Sequence, residues 1–273
     1  MLSRILIEIY RQWYGRLNLK GFGFLLSKAA HLLPQLKRFP LEVPGVGTIE
    51  VDFRDASAFA WQNYLLGKKC QEHGLLLAMA KYCKPNGVLW DIGANIGLIS
   101  AYFAAPAFEL HAIHAFEPNP DIYARLQQLF KNLPVVHGHN MALSSETASK
   151  QLYVPYGGSC LGSLEKDVSG GTTRSFTVAC HAGDDLLERL DIPAPTLVKI
   201  DVEGHEMEVL AGLRTLTEKH RPVIFLENIF LKESSLHQLV GYRVRTISDE
   251  DGEFFDGFRP DLGHNIALIP DRF

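Results

Sequence analysis

Ten consecutive residues constrain this chain more than any other feature. Val88-Leu89-Trp90-Asp91-Ile92 is a short apolar run that passes directly into Gly93-Ala94-Asn95-Ile96-Gly97 and then into helical spacing. A run of this length and composition, bounded by turn residues, suits a strand buried on both faces, as in a parallel sheet. The alternation then repeats. It predicts strands over Val88–Ile92, Leu110–Phe116 and Val135–His137, with helices over Leu98–Ala105 and Asp121–Asn132 between them. Parallel neighbours need a crossover, and a strand–helix–strand series of this kind defines a doubly wound α/β sheet.

An irregular stretch rich in glycine and serine follows from Ser144 to Ser175, and the pattern then resumes with the β-prone run SFTVAC. A helix over Asp184–Leu190, stopped by Pro193 and Pro195, leads to a strand Thr196–Ile200, a helix Glu206–Glu218 and a strand Val223–Leu226. Tyr242–Ile247 and Asn265–Ile269 read as two closing strands. Ahead of the sheet, residues 56–82 return to helical spacing, and Phe39–Phe53 reads as a hairpin around Pro44-Gly45. There is no internal repeat and no low-complexity linker. The chain therefore divides into an N-terminal extension, an amphipathic helix and hairpin over residues 1–55, and one domain over residues 56–273.

A chain of 273 residues with 47% hydrophobic content can bury a core without disulfides or a structural metal. Cys70, Cys83, Cys160 and Cys180 form no CxxC pair, which points to a reducing compartment and a cytoplasmic location. Net charge is uneven: residues 1–40 carry seven Lys/Arg against one acid, and the remainder is acidic. An acidic main body argues against nucleic acid as a partner. In the first segment Leu2, Leu6, Ile9, Trp13 and Leu17 share one helical face, and Glu8 interrupts the apolar run that a signal peptide or membrane span needs. Such a helix either packs its apolar face on the domain, the commoner use and the preferred reading, or makes peripheral contact with an anionic membrane.

The glycine turn at the carboxyl end of the first strand is where doubly wound sheets bind ligands. A dinucleotide would ask for GxGxxG, whereas this chain offers DxGANxG, and Asp91 would repel a pyrophosphate. The turn residues Asp91, Gly93, Ala94, Asn95 and Gly97 instead suit the cationic methionine end of S-adenosylmethionine. Glu117, at the end of the second strand and followed by Pro118, lies 20 residues after Gly97, where an acid can accept hydrogen bonds from both ribose hydroxyls. Asn140, Met141 and Ala142, at the third strand edge, are expected beside the adenine. The fourth strand ends in Lys199-Ile200-Asp201-Val202-Glu203-Gly204-His205-Glu206, which brings acids, a histidine and a lysine to the same edge. Glu206 is expected to support the next helix N-terminus. His111, His114, His137 and His139 show no metal-site spacing and read as strand or loop residues.

The DIGANIG turn, AFEPNP, VKIDVEGHE and RPVIFLEN, in this order, resemble the FkbM-type S-adenosylmethionine-dependent methyltransferases over residues 60–230. CHAGDDLLERL is similar to that family's short Asp-containing stretch before the fourth strand, with Gly-Asp-Asp where the family has Thr-Leu-Asp. The resemblance implies a Rossmann-like class I methyltransferase sheet, mostly parallel and seven-stranded with the last strand antiparallel. It also implies S-adenosylmethionine as cofactor and O-methylation of a hydroxyl on a saccharide, glycolipid or natural product.

A sugar hydroxyl is a poor nucleophile near neutral pH, so a general base is expected. His205, oriented by Asp201 or Glu203, is the first candidate, and Asp201 itself the second. A divalent metal held by Asp201, Glu227 and Asn228 would be the alternative, three hard oxygen donors at adjacent strand edges; the base is preferred. Two other classes share parts of the pattern: an NAD-dependent oxidoreductase, which would need the missing GxGxxG, and a non-catalytic binding module of the same fold.

Overall fold

The computed structural model describes residues 5, 8, 9, 12, 22–33, 36, 39–43, 47–54, 72–155, 162–166, 173–236 and 239–271. In chain order the strands are β1 (Phe39–Val43), β2 (Gly47–Val51), β3 (Val88–Ile92), β4 (Ala112–Phe116), β5 (Val136–His139), β6 (Ala142–Ser144) and β7 (Ala148–Pro155). They continue as β8 (Thr173–Ala182), β9 (Leu197–Ile200), β10 (Val223–Glu227), β11 (Tyr242–Ile247), β12 (Phe254–Asp256) and β13 (Asn265–Pro270). The α-helices are α1 (Phe22–Leu32), α2 (His73–Ala80), α3 (Leu98–Phe103), α4 (Pro120–Phe130), α5 (Gly183–Arg189), α6 (Glu206–Gly212), α7 (Arg214–His220) and α8 (Glu233–Leu236).

The main sheet has eight strands in the order β12-β11-β13-β10-β9-β3-β4-β5. β3, β4, β5, β9 and β10 pair in parallel, and β13 runs antiparallel between β10 and β11. This is the expected seven-stranded arrangement with an antiparallel last strand. The three-residue β12, paired antiparallel to β11 at the edge, is an addition too short to leave a periodic signal.

Strand alternation sorts the core into two layers. Leu89, Leu197, Ile113 and Phe225 pack on one face with Leu98, Leu126 and Leu129. Val88, Trp90, Val198 and Ile224 pack on the other with Leu186, Val209 and Leu216. Because both faces are covered, the central strands carry apolar residues at nearly every position. Asn119 caps α4, its side chain accepting from the Asp121 amide at 3.1 Å, with Pro120 at the first helical position. Ala30, Leu36 and Phe53 join the first layer, so the described part of the N-terminal extension shares the domain's core.

Two sequence expectations change. The stretch 144–175 is not irregular throughout: β7 pairs antiparallel with β8, and β6 parallel with β8, in a second, three-stranded sheet. Only Leu152 and Val154 of β7 are buried, so its first half has no apolar alternation to read. The helix expected over Glu206–Glu218 is broken at Leu213 into α6 and α7. A Cβ on Gly212 would stand 2.0 Å from the Ser144 carbonyl oxygen, so the glycine lets α6 end against β6.

Most of the expected N-terminal helix, the helical reading of residues 56–71, and Cys70 and Cys160 lie outside the described residues. Cys83 and Cys180 are free. Ile5, Ile9, Leu25, Leu32 and Leu33 are exposed, while Ala30 is fully buried. Among the described residues no helix is long and apolar enough to cross a membrane.

Candidate active site

The glycine turn is built by close approach of backbones. Gly93 has φ +75°, and a Cβ there would stand 1.8 Å from the Asp201 carbonyl oxygen. The Gly93 and Ala94 amides both donate to the Phe116 carbonyl, at 3.0 and 2.9 Å, which closes the ends of β3 and β4 around the turn. Gly97, at φ +80°, serves packing instead, since a Cβ would press on Leu126 and Leu129 of α4 at 2.8 and 2.9 Å.

Asp91 lies beneath this turn, fully buried, rather than on the cleft. Its Oδ2 accepts from the Ser100 amide at 3.1 Å and the Ser100 hydroxyl at 2.6 Å, and its Oδ1 is 3.6 Å from Lys199 Nζ. Lys199 also donates to the Gly93 carbonyl at 2.7 Å and sits 3.4 Å from Asp201. Burial alone would lower the Lys199 pKa; the Asp201 and Asp91 carboxylates reverse this and raise it, so the ammonium stays charged. Strand register places Asp91 beside Lys199 on the face that also carries Leu89, which explains why the pair supports the turn from within.

A cleft opens over the carboxyl ends of β3, β4 and β9. Gly93, Asn95, Glu117 and Pro118 line one part, Met141, Ala142, Leu143, Leu152 and Leu164 form an apolar wall, and Asp201, Glu203 and His205 complete it. Glu117 is held by backbone: its Oε2 accepts from the Asn95 amide at 2.9 Å and its Oε1 from the Asn119 amide at 2.8 Å. Burial pushes its pKa up to about 7 despite those two hydrogen bonds. Asn95 Oδ1 and Asn119 Nδ2, both buried, have no hydrogen-bond partner among the described residues. Asn140 is exposed and ties the loop, its amide donating to the Glu117 and Pro118 carbonyls at 2.8 and 3.2 Å. Ala94, Gly97 and Asn140 thus shape the cleft without lining it.

At the cleft's far edge, carboxylate oxygens of Asp201, Glu203 and Glu227 lie within 4.8 Å of one another. Glu203 adopts φ +53°, rare for a residue with a side chain, ahead of Gly204 at φ +95°. Burial, then the Asp201 and Glu206 charges, raise the Glu203 pKa to about 7. Burial and then Asp201 and Glu203 raise that of Glu227 as well. The sequence-derived metal set contained Asn228, but Asn228 follows Glu227 at the strand end and is buried, donating to the Gly263 carbonyl at 2.8 Å. Glu203 stands in its place. Glu206, expected to favour the next helix N-terminus, holds the turn ahead of it, its Oε1 accepting from the Gly204 and Val202 amides at 3.1 and 3.3 Å.

His205 is buried, and its partners are not Asp201 or Glu203. Its Nε2 lies 2.9 Å from Ser144 Oγ and its Nδ1 2.7 Å from Glu165 Oε1. Sequence reasoning missed both partners, since Ser144 and Glu165 are 61 and 40 residues away and fall in the stretch read as irregular.

The strand order, the antiparallel insertion and a cleft built on the first two strand ends define a class I methyltransferase fold. Residues 91–254 match the methyltransferase FkbM domain, and the chain belongs to that family. The hexuronic acid methyltransferase AglP of Haloferax volcanii is 33% identical over 143 residues, which cover 52% of this chain and 56% of that protein. The match therefore spans little more than half the length of that relative. Among solved structures, a methyltransferase FkbM from Methylobacillus flagellatus is 16% identical, covers 78% of this chain and 53% of its own, and has a TM-score of 0.45. A fibrillarin from Aeropyrum pernix, solved with S-adenosyl-L-methionine, is 10% identical with coverages of 71% and 74% and a TM-score of 0.43.

Proposed function

We propose that this chain transfers the methyl group of S-adenosylmethionine to a hydroxyl of a saccharide, with Glu203 taking the hydroxyl proton. Family membership supports the cofactor, and the saccharide follows the hexuronic acid methyltransferase relative. Neither the NAD-dependent oxidoreductase nor the non-catalytic module has comparable support.

The cleft fits the cofactor chemically. Each Glu117 oxygen accepts one backbone hydrogen bond and keeps capacity for a ribose hydroxyl. The unpartnered Asn95 Oδ1 and Asn119 Nδ2 offer one acceptor and one donor to a polar ligand, and the apolar wall from Met141 to Leu164 suits a purine and excludes water. When bound, S-adenosylmethionine supplies an electrophilic methyl on a sulfonium, whose sulfur leaves as a neutral thioether. The chain's own task is to align the acceptor oxygen and receive its proton.

The observation that carries the hydroxyl is the convergence of Asp201, Glu203 and Glu227. A hexuronic acid offers both a carboxylate and hydroxyls. The carboxylate needs no base, whereas a hydroxyl needs a base whose pKa lies near the working pH, as Glu203 provides. The same three oxygen sets also suit Mg²⁺, which would lower the pKa of a bound hydroxyl. The base takes precedence because the Lys199 ammonium, 3.4 Å from Asp201, already offsets part of the negative charge.

The test is product chemistry on uronic-acid saccharides: a methyl ether survives mild alkali, and a methyl ester does not. An alkali-labile product would reject the hydroxyl reading. Glu203→Gln should retain S-adenosylhomocysteine binding and lower turnover by roughly two to four orders of magnitude. Loss of wild-type turnover in EDTA, restored by Mg²⁺, would replace the base with the metal.

While Ala30 and Leu36 pack on the core, we propose that the exposed face of the N-terminal segment also makes a peripheral contact with an anionic membrane, where a lipid-linked acceptor would be presented. Support comes from the excess of six positive charges in residues 1–40 and from the exposed Leu25 and Leu32, seven residues apart on α1.

A further inference from the structure

Four polar side chains form one hydrogen-bonded chain across the cleft wall. Lys150 of β7 lies 3.0 Å from Ser144 Oγ of β6, Ser144 lies 2.9 Å from His205 Nε2, and His205 Nδ1 lies 2.7 Å from Glu165 Oε1. The direction of the outer two bonds follows from the donor inventory. A carboxylate only accepts, so His205 Nδ1 carries a proton and donates it to Glu165, while Ser144 Oγ accepts from the Lys150 ammonium and shares its remaining hydrogen bond with His205 Nε2. Both ring nitrogens are thus engaged by protein partners, and neither is left free to face an acceptor hydroxyl. The His205 side chain is only 3% exposed.

The far end of this chain holds the segment that carries Leu164. Ser163 Oγ accepts from the Glu165 amide at 2.9 Å and donates to the Glu203 carbonyl at 2.6 Å. Ser163 also exchanges backbone hydrogen bonds with Tyr153, at 2.8 and 3.0 Å. Leu164 and Gly162 are thereby pressed against the cleft. Glu165 is the accessible link: its side chain is 47% exposed while the imidazole it grips is buried.

We propose that Glu165 is a positioning residue for the cofactor, clasping the Leu164 segment to His205 so that the apolar wall of the cleft stays closed. This rests on reading the cleft as the S-adenosylmethionine site. It separates Glu165 and His205 from proton transfer and assigns them to cofactor affinity.

The experiment is calorimetric titration of S-adenosylhomocysteine into the full chain and its Glu165→Ala, Glu165→Gln and Ser144→Ala variants. Glu165→Ala should weaken binding about tenfold, the scale of one hydrogen bond to a charged group. Glu165→Gln, whose amide oxygen still accepts from Nδ1–H, should stay within about threefold of the wild type. Ser144→Ala frees the other ring nitrogen and should weaken binding in the same direction, which keeps the idea testable if Glu165→Ala does not fold. Unchanged affinity in Glu165→Ala overturns the clasp, as does a Gln variant no better than the Ala variant. A wild-type chain that binds no S-adenosylhomocysteine rejects the cofactor reading itself, a different result from wild-type binding that the variants leave untouched.

Discussion

The Asp201 carbonyl oxygen lies so close to Gly93 that a single added Cβ would stand 1.8 Å from it. The ends of β3 and β9 therefore meet without a side chain between them, and the cleft is assembled from their two turns. Gly93 also has φ +75°, which disfavours any other residue. Gly93→Ala should cost on the order of 1–3 kcal/mol in stability and weaken S-adenosylhomocysteine binding at least tenfold. Thermal unfolding and calorimetry measure the two effects; a variant with wild-type melting and affinity would contradict the contact.

Glu117 is expected to hold the ribose. Glu117→Ala should lose about 1–3 kcal/mol of S-adenosylhomocysteine affinity, as when a charged acceptor is removed. Its pKa of about 7 adds a pH dependence: as pH falls through that value the carboxyl gains a proton and loses acceptor capacity, so wild-type affinity should decline from pH 8 to pH 6. The Ala variant should lack that component of the decline. Equal pH dependence in both chains would remove Glu117 from the ligand.

Glu203 and Glu227 link stability to pH. Their folded pKa values, about 7 and about 8, stand above the ordinary 4.5. From about pH 4.5 upward the folded protein retains protons that the unfolded chain has released. The contribution of these groups to stability is thus complete below 4.5 and lost as pH rises through 7 to 8. Glu227→Gln mimics the protonated form, so its melting temperature should exceed that of the wild type at pH 8.5 by a few degrees, roughly 1 kcal/mol, and match it near pH 5. A gain at pH 5 equal to that at pH 8.5 would show that charge is not the cause.

The exposed Leu25 and Leu32 and the basic N-terminal segment give a membrane prediction. Vesicles containing anionic lipid should co-sediment the full chain, and neutral vesicles should not. Each basic residue near the surface contributes about 1 kcal/mol, so high salt should release the protein. The double substitution Leu25→Ser, Leu32→Ser should weaken binding while secondary structure is retained. Binding that ignores lipid charge and these leucines would argue against a membrane role.

The parts legible in the sequence are those that depend on neighbours along the chain. Short apolar runs at Val88–Ile92, Ala112–Phe116 and Leu197–Ile200 and the glycine turn at Gly93 carry the α/β order, because run length, composition and positive φ are local properties. Glu117 and Asp201 were readable as strand-end acids for the same reason. Other features needed distant chain segments. Asp91 faces Lys199 and Ser100 beneath the turn because β3 and β9 pair side by side, a register no local pattern states. His205 is held by Ser144 and Glu165 because α6 packs against β6 and the 162–166 segment lines the cleft beside it. Glu203 joins Asp201 and Glu227, and Asn228 does not, because successive residues at a strand end point opposite ways and Asn228 is spent on Gly263. Sequence determined which elements form and which strand ends bear acids. Only tertiary packing decided which of those groups are buried braces and which reach the cleft, since burial and hydrogen-bond partners are set by contacts between residues far apart in the chain.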